Sequence, residues 1–437
     1  MDIAPFLERR ARLLSSMGEG IAVIPTAPEV LRNRDSHYPY RPDSYFHYLS
    51  GFPEPEAVAV LVAGEKPRTL LFCREKNEER EIWDGHRYGP SAAAEIFGFD
   101  EGHPIGELDA KLAESMADQP VLWYSLGHDD AWDRRISVAL NAVRAQTRAG
   151  RRAPENVRDV RGLLDDMRLV KDAAEIDVMR RAAEISAAAH RRAMQAARPG
   201  CFEYELEAEL LHEFYRQGSR FPAYTSIVAA GANACVLHYV DNAKRIADGE
   251  LVLIDAGCEM DGYAADITRC FPANGRFSGP QADIYDLVLD AQAVAVAATR
   301  PGAGFNAPHD AAVRVLAQGM LDLKLLSGSL DGILESETYK RFYMHRTSHW
   351  LGRDVHDAGD YKQGEIWRPL AAGMILTLEP GCYVRRADDV PEAFWNIGVR
   401  IEDDALVTDA GCELLTAAAP KKIADIEALM KSARSEA

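Results

Sequence analysis

LVLIDAGCEMDGYAADITR, residues 251–269, decides how the second half of this chain is built. Leu251–Ala256 is an apolar strand run with an aspartate, Asp255, inside it. Ala265–Cys270 is a second run with Asp266 inside it, and Asp261-Gly262 between them is a turn signal. If Asp261-Gly262 is a two-residue loop, Asp255 pairs opposite Thr268 and Asp266 lies two residues further along. Residues two apart on a strand share a face, so both carboxylates then meet, roughly 5–8 Å apart. A three-residue loop would send them to opposite faces. Two like charges on an apolar strand pair are costly unless something compensates, and a cation is the economical answer.

The same oddity recurs downstream. MILTLEPG at 374–381 is an apolar strand that ends in Glu379, and GVRIEDDALV at 398–407 sets Glu402 between Ile401 and Asp403, with Arg400 on the same face. HRTSHWLGRDVH at 345–356 gathers His345, His349 and His356, and His238 follows the apolar ACVL run. Gly352 and Gly359 argue against a long helix here, and HExxH is absent, so a zincin is not indicated. Asp255, Asp266, Glu379, Glu402 and a histidine form an oxygen-dominated donor set. Such a set suits manganese or a similar divalent ion better than thiolate zinc. Four carboxylates neutralise two divalent ions, and paired metals about 3.5–4 Å apart are the usual means of activating one shared water.

Upstream, short apolar runs alternate with helical patterns. Ile21–Pro25, Ala57–Ala63, Thr69–Cys73 and Val121–Ser125 read as strands; Pro5–Met17, Gly106–Ala117 and Ala131–Ala145 read as amphipathic helices. This alternation is an α/β signature. RAGRRAPENVRD at 148–159 reads as a linker. Asp172 with Glu175 then starts a long helix that Pro199-Gly200 stops, and a second helix covers about Glu203–Gln217. Further helices are expected near Gln281–Thr299 and Ala307–Leu323, and strands at Ser226–Ala230, Met374–Glu379 and Val399–Val407. The expected division is an α/β domain over 1–165 and an α+β domain over 166–437.

The chain of 437 residues carries 68 acidic and 50 basic residues, a net −18. That balance argues against a nucleic-acid partner, which needs a basic face. No apolar run approaches the ~18 residues of a membrane span. MDIAPFLERRARLL has charges inside its apolar stretch, unlike a secretory signal. Seven cysteines without CxxC spacing read as buried small side chains, and the expected location is cytoplasmic. Trp83 and Trp132 read as core or interface residues, with core the favoured place.

LIDAG with ADITR, SHWLGRDVHD, LEPG and GVRIEDD, in this order and spacing, resemble the metal-dependent pita-bread peptidases, and among them the aminopeptidase P family. RPDSYFHYLSGFPEPEAVAVL at 41–61 resembles that family's creatinase-like, non-catalytic N-terminal domain; DDVPEAFWNIGVRIEDD and APKKIADIEALM extend the likeness to the C-terminus. The resemblance implies a metallo-exopeptidase that releases the first residue from Xaa-Pro peptides by attack of a hydroxide bridging two metals, most readily Mn²⁺. It implies Asp255, Asp266, His349, Glu379 and Glu402 as ligands, with Glu379 also the proton carrier. His356 and His238 match the family's histidines that contact substrate. His345, Arg400 and Tyr383 match further substrate-site neighbours, Tyr383 near the proline pocket. It also implies a homodimer or homotetramer. Prolidase action on Xaa-Pro dipeptides is the nearest alternative, and a non-catalytic peptide- or protein-binding pita-bread module is a remote one. HRTSH stands where the family has HGLSH or HGxGH, and Arg353 stands where an apolar residue is frequent. Both changes place arginine beside the expected cleft.

Overall fold

The computed structural model describes residues 2–435 and separates into two compact units, Met1–Met167 and Arg168–Ala437. The division falls inside the helix Arg161–Leu169.

The first unit is built on a six-stranded sheet of β1 (Gly20–Pro25), β2 (Val58–Ala63), β3 (Arg68–Cys73), β4 (Glu101–Pro104), β5 (Val121–Trp123) and β6 (Asn156–Arg158), in the order β4-β3-β2-β1-β5-β6. Ile21 and Val23 of β1 pack on one face with Leu108, Leu112, Ile136 and Val143. Ala22 and Ile24 pack on the other with Leu13, Phe46, Phe97 and Leu164. Helices therefore cover both faces, which explains why β2 is an unbroken apolar run. The stretch 148–159 is not a linker: a 3₁₀ turn at Thr147–Ala149 precedes β6, which pairs parallel to β5 at the sheet edge. An edge strand needs backbone pairing but no apolar side chains, and all three β6 residues are exposed. The core reading of Trp83 is also corrected. The helix Glu78–Asp84 buries none of its residues and leaves Trp83 80% exposed beside Ile82 at 82%. Trp132 is half-buried against the face that holds Ile21 and Val23.

In the second unit, the long helix Ala173–Ala196 starts at a capping box between Asp172 and Glu175. With Glu203–Arg216, Gly279–Ala298 and Ala307–Asp322 it packs around short antiparallel strands. These are β7 (Phe221–Pro222), β8 (Ile227–Ala230), β9 (Leu251–Asp255), β10 (Cys258–Met260), β11 (Tyr263–Ala264), β12 (Thr268–Pro272), β13 (Lys362–Gln363), β14 (Ile366–Trp367), β15 (Ile375–Leu378), β16 (Gly381–Val384), β17 (Ile397–Arg400), β18 (Asp403–Thr408) and β19 (Gly411–Leu414). Asp261 and Gly262 both have positive φ, 49° and 80°, as a tight two-residue hairpin turn requires. Met260 faces Tyr263, and the same register runs on to Asp255 opposite Thr268. The run expected as one strand at 399–407 breaks at Ile401-Glu402: β17 pairs with β16, while β18 joins β15 and β19. Among the described residues, no helix is long and apolar enough to cross a membrane. Six of the seven cysteines are buried, and all are free.

One buried ion cluster fixes the helix entry to the histidine loop. Asp357 accepts from Lys171 Nζ at 2.9 Å and Arg168 Nη2 at 2.5 Å, with all three side chains nearly inaccessible. Burial alone would raise the Asp357 pKa, but Lys171 and Arg168 hold it below the usual carboxylate value. Its unfolded-state pKa is about 3.9, so its stabilisation is complete above that value and is lost as pH falls through the lower folded value. Asp357→Asn is expected to cost about 3 kcal/mol at neutral pH. The gap from wild type, read from urea midpoints, should narrow below about pH 4.

Candidate metal centre and peptide cleft

Asp255 closes β9, Asp266 lies two residues before β12, Glu379 follows β15, and Glu402 lies in the break between β17 and β18. Each therefore stands where a strand ends, and the four converge with His349 in a cleft of about 1150 Å³. Gly257 permits the close passage of the two aspartate strands, because a Cβ there would meet the Ala265 carbonyl oxygen at 1.7 Å.

Asp266, His349 and Glu402 offer ligand atoms that all lie within 4.8 Å of one another. His349 Nε2 is 3.5 Å from both Asp266 Oδ2 and Glu379 Oε1. Its Nδ1 faces the Trp350 carbonyl at 2.9 Å, a pairing in which Nδ1–H donates and Nε2 is turned toward the carboxylates. The Tyr224 hydroxyl lies 2.6 Å from Asp255 Oδ1 and 2.5 Å from Asp266 Oδ1, bridging the two aspartates. Arg400 donates to Asp255 Oδ2 at 2.5 Å, and Thr268 donates to Glu402 Oε2 at 2.6 Å.

This grouping carries uncompensated negative charge. Burial, then the neighbouring Asp266, Glu379 and Asp255, hold the Glu402 pKa well above its ordinary value. Burial, then Asp255, raises that of Asp266. Burial lifts Glu379 to about 7, although His349 and Arg400 oppose it. Burial would depress His349, but hydrogen bonding to Asp266 and the charge of Glu379 raise it to about 9. A proton-loaded imidazole and one guanidinium thus stand among four carboxylates. Hard divalent cations fit this donor set: oxygen atoms dominate, the imidazole is correctly oriented, and added positive charge relieves the repulsion.

The remaining expected residues surround this centre. His238, His345, His356 and Arg400 line the cleft. His356 lies edge-on to His349, with ring centroids 4.3 Å apart, and burial followed by the charge of His349 lowers its pKa. Burial and Arg400 lower His345 to about 3, so it is neutral. Tyr383 stands one layer behind the wall: it is buried, and its hydroxyl is 2.8 Å from His345 Nε2 and 3.0 Å from Arg400 Nη1. It positions those two side chains. Arg346 lines the cleft as expected, but Arg353 is buried over the Tyr263 ring, 4.7 Å from its centroid.

Sequence reasoning missed Tyr224, Thr268, Thr377 and Asp404. Thr377 Oγ1 accepts from the His349 backbone N–H at 3.1 Å and donates to Glu379 Oε1 at 3.3 Å. Asp404 accepts from the Asp266 backbone N–H. Tyr224 sits in FPAYTS, which carries no signal before the fold is known.

A creatinase-like α/β unit and a strand-end cluster of four carboxylates and a histidine define a pita-bread metallohydrolase. Similarity to known proteins gives the particular family. Residues 177–409 match the model of metallopeptidase family M24, and residues 6–123 match that of the aminopeptidase P N-terminal domain. The chain belongs to metallopeptidase family M24, in its aminopeptidase P branch. It is 44% identical to the Xaa-Pro aminopeptidase of Escherichia coli, covering 99% of this chain and 98% of that protein. It is 34% identical to human Xaa-Pro aminopeptidase 3, covering 98% and 84%. Its structure matches Pseudomonas aeruginosa aminopeptidase PepP with a TM-score of 0.98 at 49% identity, covering 100% and 99%. A zinc-substituted E. coli aminopeptidase P in complex with product matches at 0.97 and 44% identity, covering 99% of each chain.

Proposed function

We propose that this enzyme releases the first residue from peptides with proline at position two. The observation that carries this reading is the cluster of Asp255, Asp266, His349, Glu379 and Glu402 lining a peptide-sized cleft. The names of its full-length relatives support the proline specificity. Those five residues would hold two divalent ions, which when bound supply Lewis acidity and an activated water. We propose Mn²⁺ as the native ion, from the oxygen-rich donor set.

The chain's own groups then have separate tasks. Glu379 accepts the proton of the attacking water and passes it to the leaving proline nitrogen as the C–N bond breaks. His356 and His238 can donate to the scissile carbonyl oxygen as it gains charge. The carboxylate of Asp255 favours a free α-amine, which sets the exopeptidase register. Proline offers no N–H, so it must be selected by shape. Phe305, Val355, Tyr361 and Trp367 give the cleft an apolar wall suited to that. Arg400, fixed between Asp255, Thr268 and Tyr383, adds a held guanidinium to the cleft lining.

We also propose a cytoplasmic homodimer or homotetramer; the exposed Ile82–Trp83 pair supports an assembly surface. Chelator-treated enzyme should lose cleavage of Xaa-Pro-Yaa tripeptides and regain it with Mn²⁺. An Xaa-Ala-Yaa control should be cleaved poorly throughout. Preference for Xaa-Pro dipeptides over tripeptides would instead establish prolidase activity.

A further inference from the structure

The floor of the cleft is acidic, yet its rim holds two cations with no part in the chemistry above. Arg346 follows His345, lines the cleft, and places its guanidinium 5.0 Å from the Trp367 ring centroid. It also donates to Asn306 Oδ1. Lys362 lines the cleft too, with Nζ 4.3 Å from the same centroid. Among the described residues, neither forms an ion pair with a carboxylate. Their basic neighbours in sequence do: Lys340 pairs with Glu337, and Arg341 pairs with Asp389. In a chain of net −18, two unpaired cations on one indole at a cleft rim are a specific arrangement. The ring holds both side chains, so less freedom is lost when they meet a ligand.

A guanidinium and an ammonium are donors only. They cannot serve the substrate's amine, which the carboxylate floor attracts. The obligatory anion of a peptide is its terminal carboxylate, and an acidic side chain is the optional one. We infer that Arg346, Lys362 and Trp367 form a carboxylate subsite selecting peptides with negative charge just beyond the proline. That charge is the C-terminus of a tripeptide or an Asp or Glu side chain at residue three. The inference rests on the Xaa-Pro reading and deepens it.

The test uses the Mn²⁺-loaded full chain and two peptide pairs. One pair is Xaa-Pro-Ala as free acid and as amide; the other is an amidated pentapeptide with Glu or Gln at residue three. Wild type should favour the anionic member of at least one pair by about twofold to fivefold in kcat/KM, the scale of an exposed charge pair. Added salt should shrink that ratio. In the double variant Arg346→Gln/Lys362→Gln the ratio should approach one, and Arg346→Lys should retain part of it. A preference in the first pair assigns the terminal carboxylate, and one in the second assigns the side chain. Equal rates within both pairs in wild type would overturn the inference while leaving the Xaa-Pro reading intact. So would a ratio unchanged in the double variant; a merely structural loss lowers both members of a pair together. Cleavage of none of the four peptides would overturn the Xaa-Pro reading, and this inference with it.

Discussion

Glu379→Ala is expected to lower kcat on an Xaa-Pro-Yaa tripeptide by at least about a thousandfold, the range of a positioned general acid–base. The protein should stay folded. Glu379 is a buried carboxylate among like charges, and its pKa is raised to about 7 chiefly by burial. The metal-free fold therefore gains little from its charged form, and the metal-free variant should melt within a few degrees of wild type or slightly above it. His349→Ala should abolish cleavage as well, because it removes the imidazole among the carboxylates. Circular dichroism melts with single-substrate kinetics separate the two effects. Full activity in purified Glu379→Ala would contradict the proton-carrier role.

The largest expected loss of stability lies next door, at Asp403. Its carboxylate is fully buried and accepts from Arg269 Nη2 at 2.6 Å, Lys421 Nζ at 2.6 Å, Gln292 Nε2 at 2.7 Å and Thr416 Oγ1 at 2.7 Å. Burial would raise its pKa, but Arg269 and Lys421 hold it far below the usual range. Asp403→Ala leaves the inaccessible Arg269 guanidinium without its anion. Breaking such a pair from one side costs about 3–5 kcal/mol. The urea midpoint of the metal-free protein should fall accordingly. The loss should reach the site as well, because Arg269 Nη1 holds the Glu402 carbonyl at 2.5 Å. A loss below about 1 kcal/mol would show that the pair is dispensable.

The contrast between Glu379 and Asp403 explains why the site was legible in the sequence. A structural buried carboxylate brings its own cations, as Asp403 does with Arg269 and Lys421. The site carboxylates end apolar strands without enough cation to match them. The Asp261-Gly262 turn fixed the aspartate register, since every cross-strand pair follows once the two loop residues are known. What stayed hidden depends on long-range contact. Tyr224 is 31 residues from Asp255 and 42 from Asp266, and no local pattern announces a hydroxyl that bridges them. The break at Ile401-Glu402 carries no turn signal, because the two strands change sheets without a glycine or proline between them. The edge strand at 156–158 is masked by its polar side chains, and the exposure of Trp83 runs against the high average burial of indoles.

Titration of metal-stripped protein with Mn²⁺, with bound ions counted while release of Xaa from Xaa-Pro-Yaa is assayed, tests the central claim most directly. Activity is predicted to be absent at the start and to return as about two ions bind per chain, with Glu379→Ala remaining inactive when loaded. Full cleavage by the metal-free enzyme, or saturation with Mn²⁺ and other divalent ions without any cleavage of the Xaa-Pro bond, would contradict it.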